Sequence, residues 1–585
     1  MPIPTKTEIQ AFEARLDRAL AERVTNRCNA NAALRLASNM AEVAATTQPT
    51  GSGEGVLNDG INSFSAYLVS GTSGPEPALE ALFGDLDFGF HYHHLRGLLY
   101  YSYNAPGSID WRFAENRIEL RFLDPSLPRQ FFTVWNENVL GSQRIFDGFD
   151  VPDKLRELLK NQPEFELGEA HEAADKLLQA HADLKLSAYF SILDTNSEID
   201  LGGYSYREIY AVYRILLMKA LYHRHQAAAN DHTGCVHVQA DELRDMLAQE
   251  TKIDAAKVEA MLQDLVFDSK AAEDRVDSTY FSLMREGAAP RDIIIRPCHF
   301  SKADGLVQLL RVVAQRRPHV FLSQVSNALA AAFVQRVKAA FEAQGFLCQS
   351  EISLRAIDPA LPDIDLLVIV EEPTLGFVML ICEVKSPLPP QWAKDQLRAL
   401  AKDNVSKAFR QTEAISTFLR KPEGIEFIRS VVPKGGLEHF DSFVTVLQQL
   451  IITSDNAGMF FGHEETPIIN FRTLERLLQR ADGDILHMRY CISHYNEWAD
   501  ECVTTAMATV EVDGLTVLHE GFTPTRLMDF PQTTWNSSSD RQRMIDDFVA
   551  NGHHPFDCLV GREGVIIAPP TDAATDARGP LAKPI

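Results

Sequence analysis

Between Pro362 and Lys385 the sequence sets charged side chains against two apolar runs. The first run, 366–370, follows Asp363 and Asp365; the second, 377–382, ends in Glu383-Val384-Lys385. An extended strand turns residues i and i+2 to one face, so Glu383 and Lys385 point the same way while Val384 turns into the opposite layer. The intervening Glu371-Glu372-Pro373-Thr374-Leu375-Gly376 reads as a hairpin connection, which brings the Asp365 end of one strand beside the Glu383 end of the other. Two carboxylates offer the hard oxygen ligands that Mg²⁺ or Mn²⁺ takes, leaving the rest of the shell to water and a phosphate. A lysine beside such an ion can orient or deprotonate a bound water. The chemistry these residues point to is phosphodiester hydrolysis. Charges ending an otherwise apolar strand are costly unless they serve a site or reach solvent.

This arrangement resembles the PD-(D/E)XK nuclease superfamily, whose signature is an acidic residue at the start of one core strand and Glu/Asp-x-Lys on the next. The resemblance covers about residues 318–455 and implies a restriction-endonuclease-like α/β core, a mixed sheet flanked by helices. It assigns the metal to Asp365 and Glu383, with Asp363 as the fallback for Asp365, and makes Lys385 the catalytic lysine. Mg²⁺ is the implied cofactor, with Mn²⁺ as the substitute. In that family a Gln or Lys on the following helix often faces the site, which makes Gln411 the first candidate and Gln396 the second. Glu342 is a candidate for an additional metal-side carboxylate.

The elements that must position these groups follow from periodicity. Val325, Leu329, Phe333, Val337 and Phe341 recur at four-residue steps, predicting an amphipathic helix over 323–344 that Gly345 ends. A strand is expected within 348–357, helices within 391–419 after the Pro-rich break at 386–390, and a returning strand over 443–453. Lys394, Arg398 and Lys402 form a basic stripe that Lys407 and Arg410 extend, suited to tracking phosphates. With a formal net charge of −24 the chain repels nucleic acid elsewhere, which argues against a passive DNA coat and for one local basic channel. The resemblance implies DNA as the favoured substrate over RNA, in a defence, restriction or repair role.

Length and composition complete the frame: 585 residues, 45% of them hydrophobic, predict a multidomain α/β protein. The expected units are an α+β domain over 1–190, a winged-helix-like helical segment over 191–315, the nuclease-like domain over 316–460, and a helical or mixed region over 461–585 with a loose tail. Thr7 and Gln10 read as the capping box of a first helix with Ile9, Phe12, Leu16 and Leu20 on its apolar face. The small, polar stretch 45–55 reads as a flexible loop, and 88–139 as strands, placing His91 and His93 on one strand face beside His94. Helices are expected over 206–228, 241–249 and 254–265, with a small wing from 280–283 and 293–295. The helix over 254–265 carries Asp254, Glu259 and Asp264 against Lys257 alone, so this segment reads as a structural or protein-partner module, not a DNA reader. Cys235, His237, Cys298 and His299 fit no zinc spacing, and eight cysteines without a CxxC pair read as reduced thiols. A helical stretch around 474–488 is expected to break at Asp482-Gly483-Asp484. No apolar run is long enough to span a bilayer, so a cytoplasmic chain without membrane attachment is expected. Two other readings stay open: a nuclease-fold scaffold that binds without cutting, and a winged-helix regulator of nucleic acid or a protein partner.

Overall fold

The computed structural model describes residues 5–47, 52–123, 151–160, 169–187, 193–230, 234–302, 305–372, 376–388, 390–400, 404–433, 442–454, 466–493, 503–524 and 557–561. In chain order its strands are β1 (Ile109–Ala114), β2 (Arg117–Phe122), β3 (Val236–Gln239), β4 (Val266–Phe267), β5 (Leu283–Arg285), β6 (Asp292–Ile295) and β7 (Leu347–Ile352). There follow β8 (Ile364–Glu372), β9 (Gly376–Lys385), β10 (Ser442–Thr453), β11 (Ile468–Asn470), β12 (Val503–Val512), β13 (Leu515–Pro524) and β14 (Asp557–Gly561). They form three mixed sheets among many helices.

The sheet that carries the motif runs β11-β10-β9-β8-β7, with β14 also paired to β10. β7, β8 and β9 are antiparallel neighbours, while β10 lies parallel to β9 and β11 parallel to β10. Its central strands β8 and β9 are apolar on both faces, as both faces are covered. Leu366, Val368, Val378, Leu380, Cys382 and Val384 pack against Phe333, Val337 and Phe341 of helix Ser326–Glu342 and against Leu474, Leu477 and Met488 of the helices Phe471–Ala481 and Ile485–Ser493. Leu367, Ile369, Phe377, Met379 and Ile381 pack against Ile415, Phe418 and Ile428 of the helices Val405–Leu419 and Pro422–Val431. The predicted break falls where Asp482 and Gly483 take positive φ, 46° and 80°, between two helices.

Helices Tyr206–Ala229, Ala240–Thr251 and Ala255–Leu265 match the expected ones, and β3-β6-β5-β4 forms the small sheet beside them. The first wing strand begins at Leu283, because Asp277 accepts from the Thr279 N–H at 3.1 Å and closes a 3₁₀ turn over Ser278–Tyr280.

The third sheet, β1-β2-β13-β12, joins distant parts of the chain: β13 runs parallel to β2, with Val517 opposite Ile118. The expected units 1–190 and 461–585 thus share one sheet.

Three local expectations are corrected. His91, His93 and His94 lie within helix Leu79–Asn104, not on a strand; Leu82, Leu86, Leu95, Leu98 and Leu99 are its buried face, and this long helical register outweighs the aromatic composition that reads as strand. The stretch read as a loop turns helical at Ser52, where helix Ser52–Leu68 starts; buried Glu54 reaches Lys302 at 2.7 Å, a long-range contact that local sequence does not reveal. The capping box is formed by Thr5 and Glu8, whose Oε2 accepts from the Thr5 N–H at 2.7 Å, so the first helix starts at Lys6.

Candidate active site

The register of the central sheet assembles the motif. β8 pairs with β9 through Leu366 opposite Cys382, so the next step outward sets Asp365 against Glu383. Asp365 shares the parity of Leu367 and Ile369, and Glu383 and Lys385 that of Phe377, Met379 and Ile381. All three therefore emerge from the face that helix Val405–Leu419 covers. Asp365 Oδ2 accepts from the Val384 N–H at 2.8 Å, which locks its carboxylate against the end of β9. Lys385 Nζ donates to Glu383 Oε1.

Glu383 is 1% exposed, and its second oxygen, Oε2, is buried without a hydrogen-bond partner among the described residues. Burial, reinforced by the neighbouring Asp365 charge and opposed by Lys385, pushes its carboxyl up to about 7. A buried acid with a free oxygen beside a second carboxylate is short of positive charge, and a hard divalent cation would fit that donor set. Asp365 and Glu383 are the residues that would hold it.

Gln411 stands half-buried on the covering helix, and its Oε1 is buried without a partner among the described residues. The strand beside the motif adds groups that the sequence pattern did not single out. β10 sets Ile451 opposite Glu383 and Thr453 opposite Lys385 in parallel register. Thr453 is 0% exposed, and its hydroxyl oxygen too is unpartnered among the described residues. Gln449, two positions earlier on that face, donates to the Thr412 carbonyl and accepts from Thr466 Oγ1 at 3.1 Å, tying β10 to the helix that bears Gln411. Gln449 and Thr453 stand four residues apart, an even spacing that puts both polar side chains on one face of β10, and that spacing is the signal that could have found them.

The remaining candidates are not brought to this face. Asp363 is turned to Ser353 Oγ at 2.9 Å and to Arg355 at 3.3 Å. Glu342 lies in the layer over the opposite face of the sheet, exposed, 3.7 Å from Lys338. Gln396 is 6% exposed and accepts from the Tyr101 hydroxyl. Of the basic stripe, Lys394 is half-buried with its ammonium 5.9 Å from the Trp392 ring, and Arg398, Lys407 and Arg410 are exposed. Lys402 lies outside the described residues.

Two other clusters merit comparison. His237, Glu286 and Asp292 bring ligand atoms within 4.8 Å of one another, but Arg35 donates to both Glu286 and Asp292 (3.2 Å to the latter), so a guanidinium already supplies the charge a metal would. Of the other residues whose spacing fits no zinc pattern, His299 sits 3.5 Å from Glu54, and the Cys298 N–H donates to Glu42 at 2.7 Å. His91 meets His519 of β13, Nδ1 to Nε2 at 2.9 Å, while His94 lies against the Glu520 carbonyl at 2.9 Å. Burial pushes His94 down to about 4 and His519 down to about 2, so these rings pack as neutral imidazoles.

Comparison with known proteins finds no family model, no curated protein and no solved structure that matches this chain. Among the described residues no helix is long and apolar enough to cross a membrane.

Proposed function

We propose that the chain is a metal-dependent nuclease of the PD-(D/E)XK type that hydrolyses phosphodiester bonds, with DNA as the favoured substrate and the motif sheet as a restriction-endonuclease-like core. The observation that carries this reading is the convergence of Asp365, Glu383 and Lys385 on one sheet face, with Glu383 buried and one of its oxygens unpartnered. A Mg²⁺ or Mn²⁺ ion held by Asp365 and Glu383 would supply Lewis-acid stabilisation of charge on phosphate oxygens. The protein's own groups do the rest. Lys385 is oriented by Glu383, which keeps its ammonium at the strand end, where it can position a water for attack and hold a proton near the scissile phosphate. Asp365, fixed by the Val384 N–H, keeps its carboxylate from rotating away. Gln411 offers a buried carbonyl oxygen from the covering helix.

The test is incubation of the full chain with plasmid, linear and single-stranded DNA and with RNA, with Mg²⁺, with Mn²⁺ and with EDTA. Cleavage that depends on the divalent ion and vanishes in Glu383→Gln and Lys385→Met supports the reading. Equal cleavage by wild type and both variants, or cleavage persisting in EDTA, removes it.

A further inference from the structure

The chain leaving Lys385 is not held by the motif sheet alone. At the strand end Ser454 secures it twice, its N–H donating to the Lys385 carbonyl and its hydroxyl to the Pro387 carbonyl, each at 2.9 Å. One residue further, the Leu388 carbonyl accepts from Arg311, which lies in helix Gly305–Arg316 of the preceding segment. The same guanidinium pairs at 3.1 Å with Asp395 on helix Ala393–Leu400. The Asp395 side chain is 0% exposed and accepts from two further donors: the Tyr280 hydroxyl, which lies 3.0 and 2.9 Å from its two oxygens, and the Gln391 N–H at 3.2 Å. Trp392 donates to that hydroxyl at 3.3 Å and packs on Tyr100, ring centroids 5.4 Å apart. Tyr101 donates to Gln396 on the same helix. Residues 386–388 and 390–400 are thus fastened by Tyr100, Tyr101, Tyr280 and Arg311, all of which precede the motif sheet.

A buried carboxylate is tolerated only while it is paired and hydrogen-bonded, so these bonds form as a set or not at all. We infer that Asp395 is a positioning residue: through Arg311 and Tyr280 it lets the front of the molecule set the direction in which the chain leaves Lys385, and with it the placement of the lysine ammonium on Glu383. This inference rests on the nuclease reading for its consequence, and it gives residues before 316 a role in that site, to align the lysine.

Two full-length variants test this. Asp395→Asn removes the charge and keeps the shape. The pair Asp395→Leu with Arg311→Met removes both charges at once, a replacement buried ion pairs commonly tolerate with the fold intact. Both are expected to lose roughly ten- to hundredfold in kcat, a larger change than any rise in KM for DNA. An enzyme that is merely destabilised would show a lowered Tm and faster trypsin cleavage along the whole chain, not only in this segment. Trypsin cleavage after Lys394 and Arg398, read on the same proteins, is expected to accelerate. Wild-type rates in both variants overturn the inference, and so do unchanged trypsin rates. If the wild type cuts no nucleic acid, the nuclease reading falls by itself, and the trypsin rates still decide whether Arg311 and Asp395 hold this segment.

Discussion

At the scale of single residues, Glu383 decides most. Its folded carboxyl keeps a proton to about pH 7, against an ordinary value of 4.5, so between those values the folded chain binds more protons than the unfolded one. Stability of the metal-free protein is therefore expected to fall as pH rises from about 5 to about 8, by on the order of 3 kcal/mol from this group. Urea melts in EDTA at the two pH values check this, and Glu383→Gln should flatten the difference. Divalent-ion affinity should rise over the same interval, because binding must release that proton. Loss of Asp365 (to Asn), Glu383 (to Gln) or Lys385 (to Met) should each cost at least about a hundredfold in cleavage rate, read on plasmid nicking with the Tm confirming a folded variant. The motif was legible because strand parity is simple: once Glu-x-Lys ends an apolar run, its two charges share a face. The sequence could not show that Asp363 would be drawn to Ser353 and Arg355, leaving Asp365 free for the site, since both partners depend on how β7 meets β8.

At the scale of elements, helix Ser326–Glu342, the strands β7 to β10 and the helices within 391–419 were legible in their order, because each carries an apolar run or stripe long enough to read, whereas β11 and β14, three and five residues long, were not. The His-rich helix was not, since its aromatic run mimics a strand and its true partner is another helix. There the fit is backbone to backbone: a Cβ on Gly60 of helix Ser52–Leu68 would lie 2.4 Å from the Leu86 carbonyl oxygen of helix Leu79–Asn104. Gly60→Ala should force these helices apart and destabilise the protein by about 1 to 3 kcal/mol, measured by thermal melts, while Gly84→Ala, with nothing within 4 Å of its added Cβ, should not. The basic stripe is tested as an element too. Reversing Lys394 and Arg398 to Glu should weaken DNA binding and flatten the slope of log affinity against log salt by about two. An unchanged slope in titrations across a salt series would mark the stripe as ordinary surface.

At the scale of the whole molecule, boundaries read from composition fall where the chain is in fact tied together. A fragment beginning at Arg316 carries β7 to β11 and every motif residue, yet it lacks Arg311, Tyr280 and Tyr101. It leaves Asp395 without its cation, so it is expected to bind divalent ions through Asp365 and Glu383 but to melt well below the intact chain, compared by calorimetry and metal titration. The sheet β1-β2-β13-β12 extends the point. Its middle pairing, β2 with β13, joins strands about 390 residues apart, with strands β7 to β11 of the motif sheet between them in sequence. A ribosome adding roughly 5 to 20 residues per second reaches β13 some 20 to 80 s after finishing β2. Throughout that interval the β1–β2 hairpin presents an unpaired inner edge, of the kind that recruits foreign strands. The motif strands are synthesised within the same interval, so a product released before β13 would carry the cutting residues together with a sticky edge, and only the completed chain closes it.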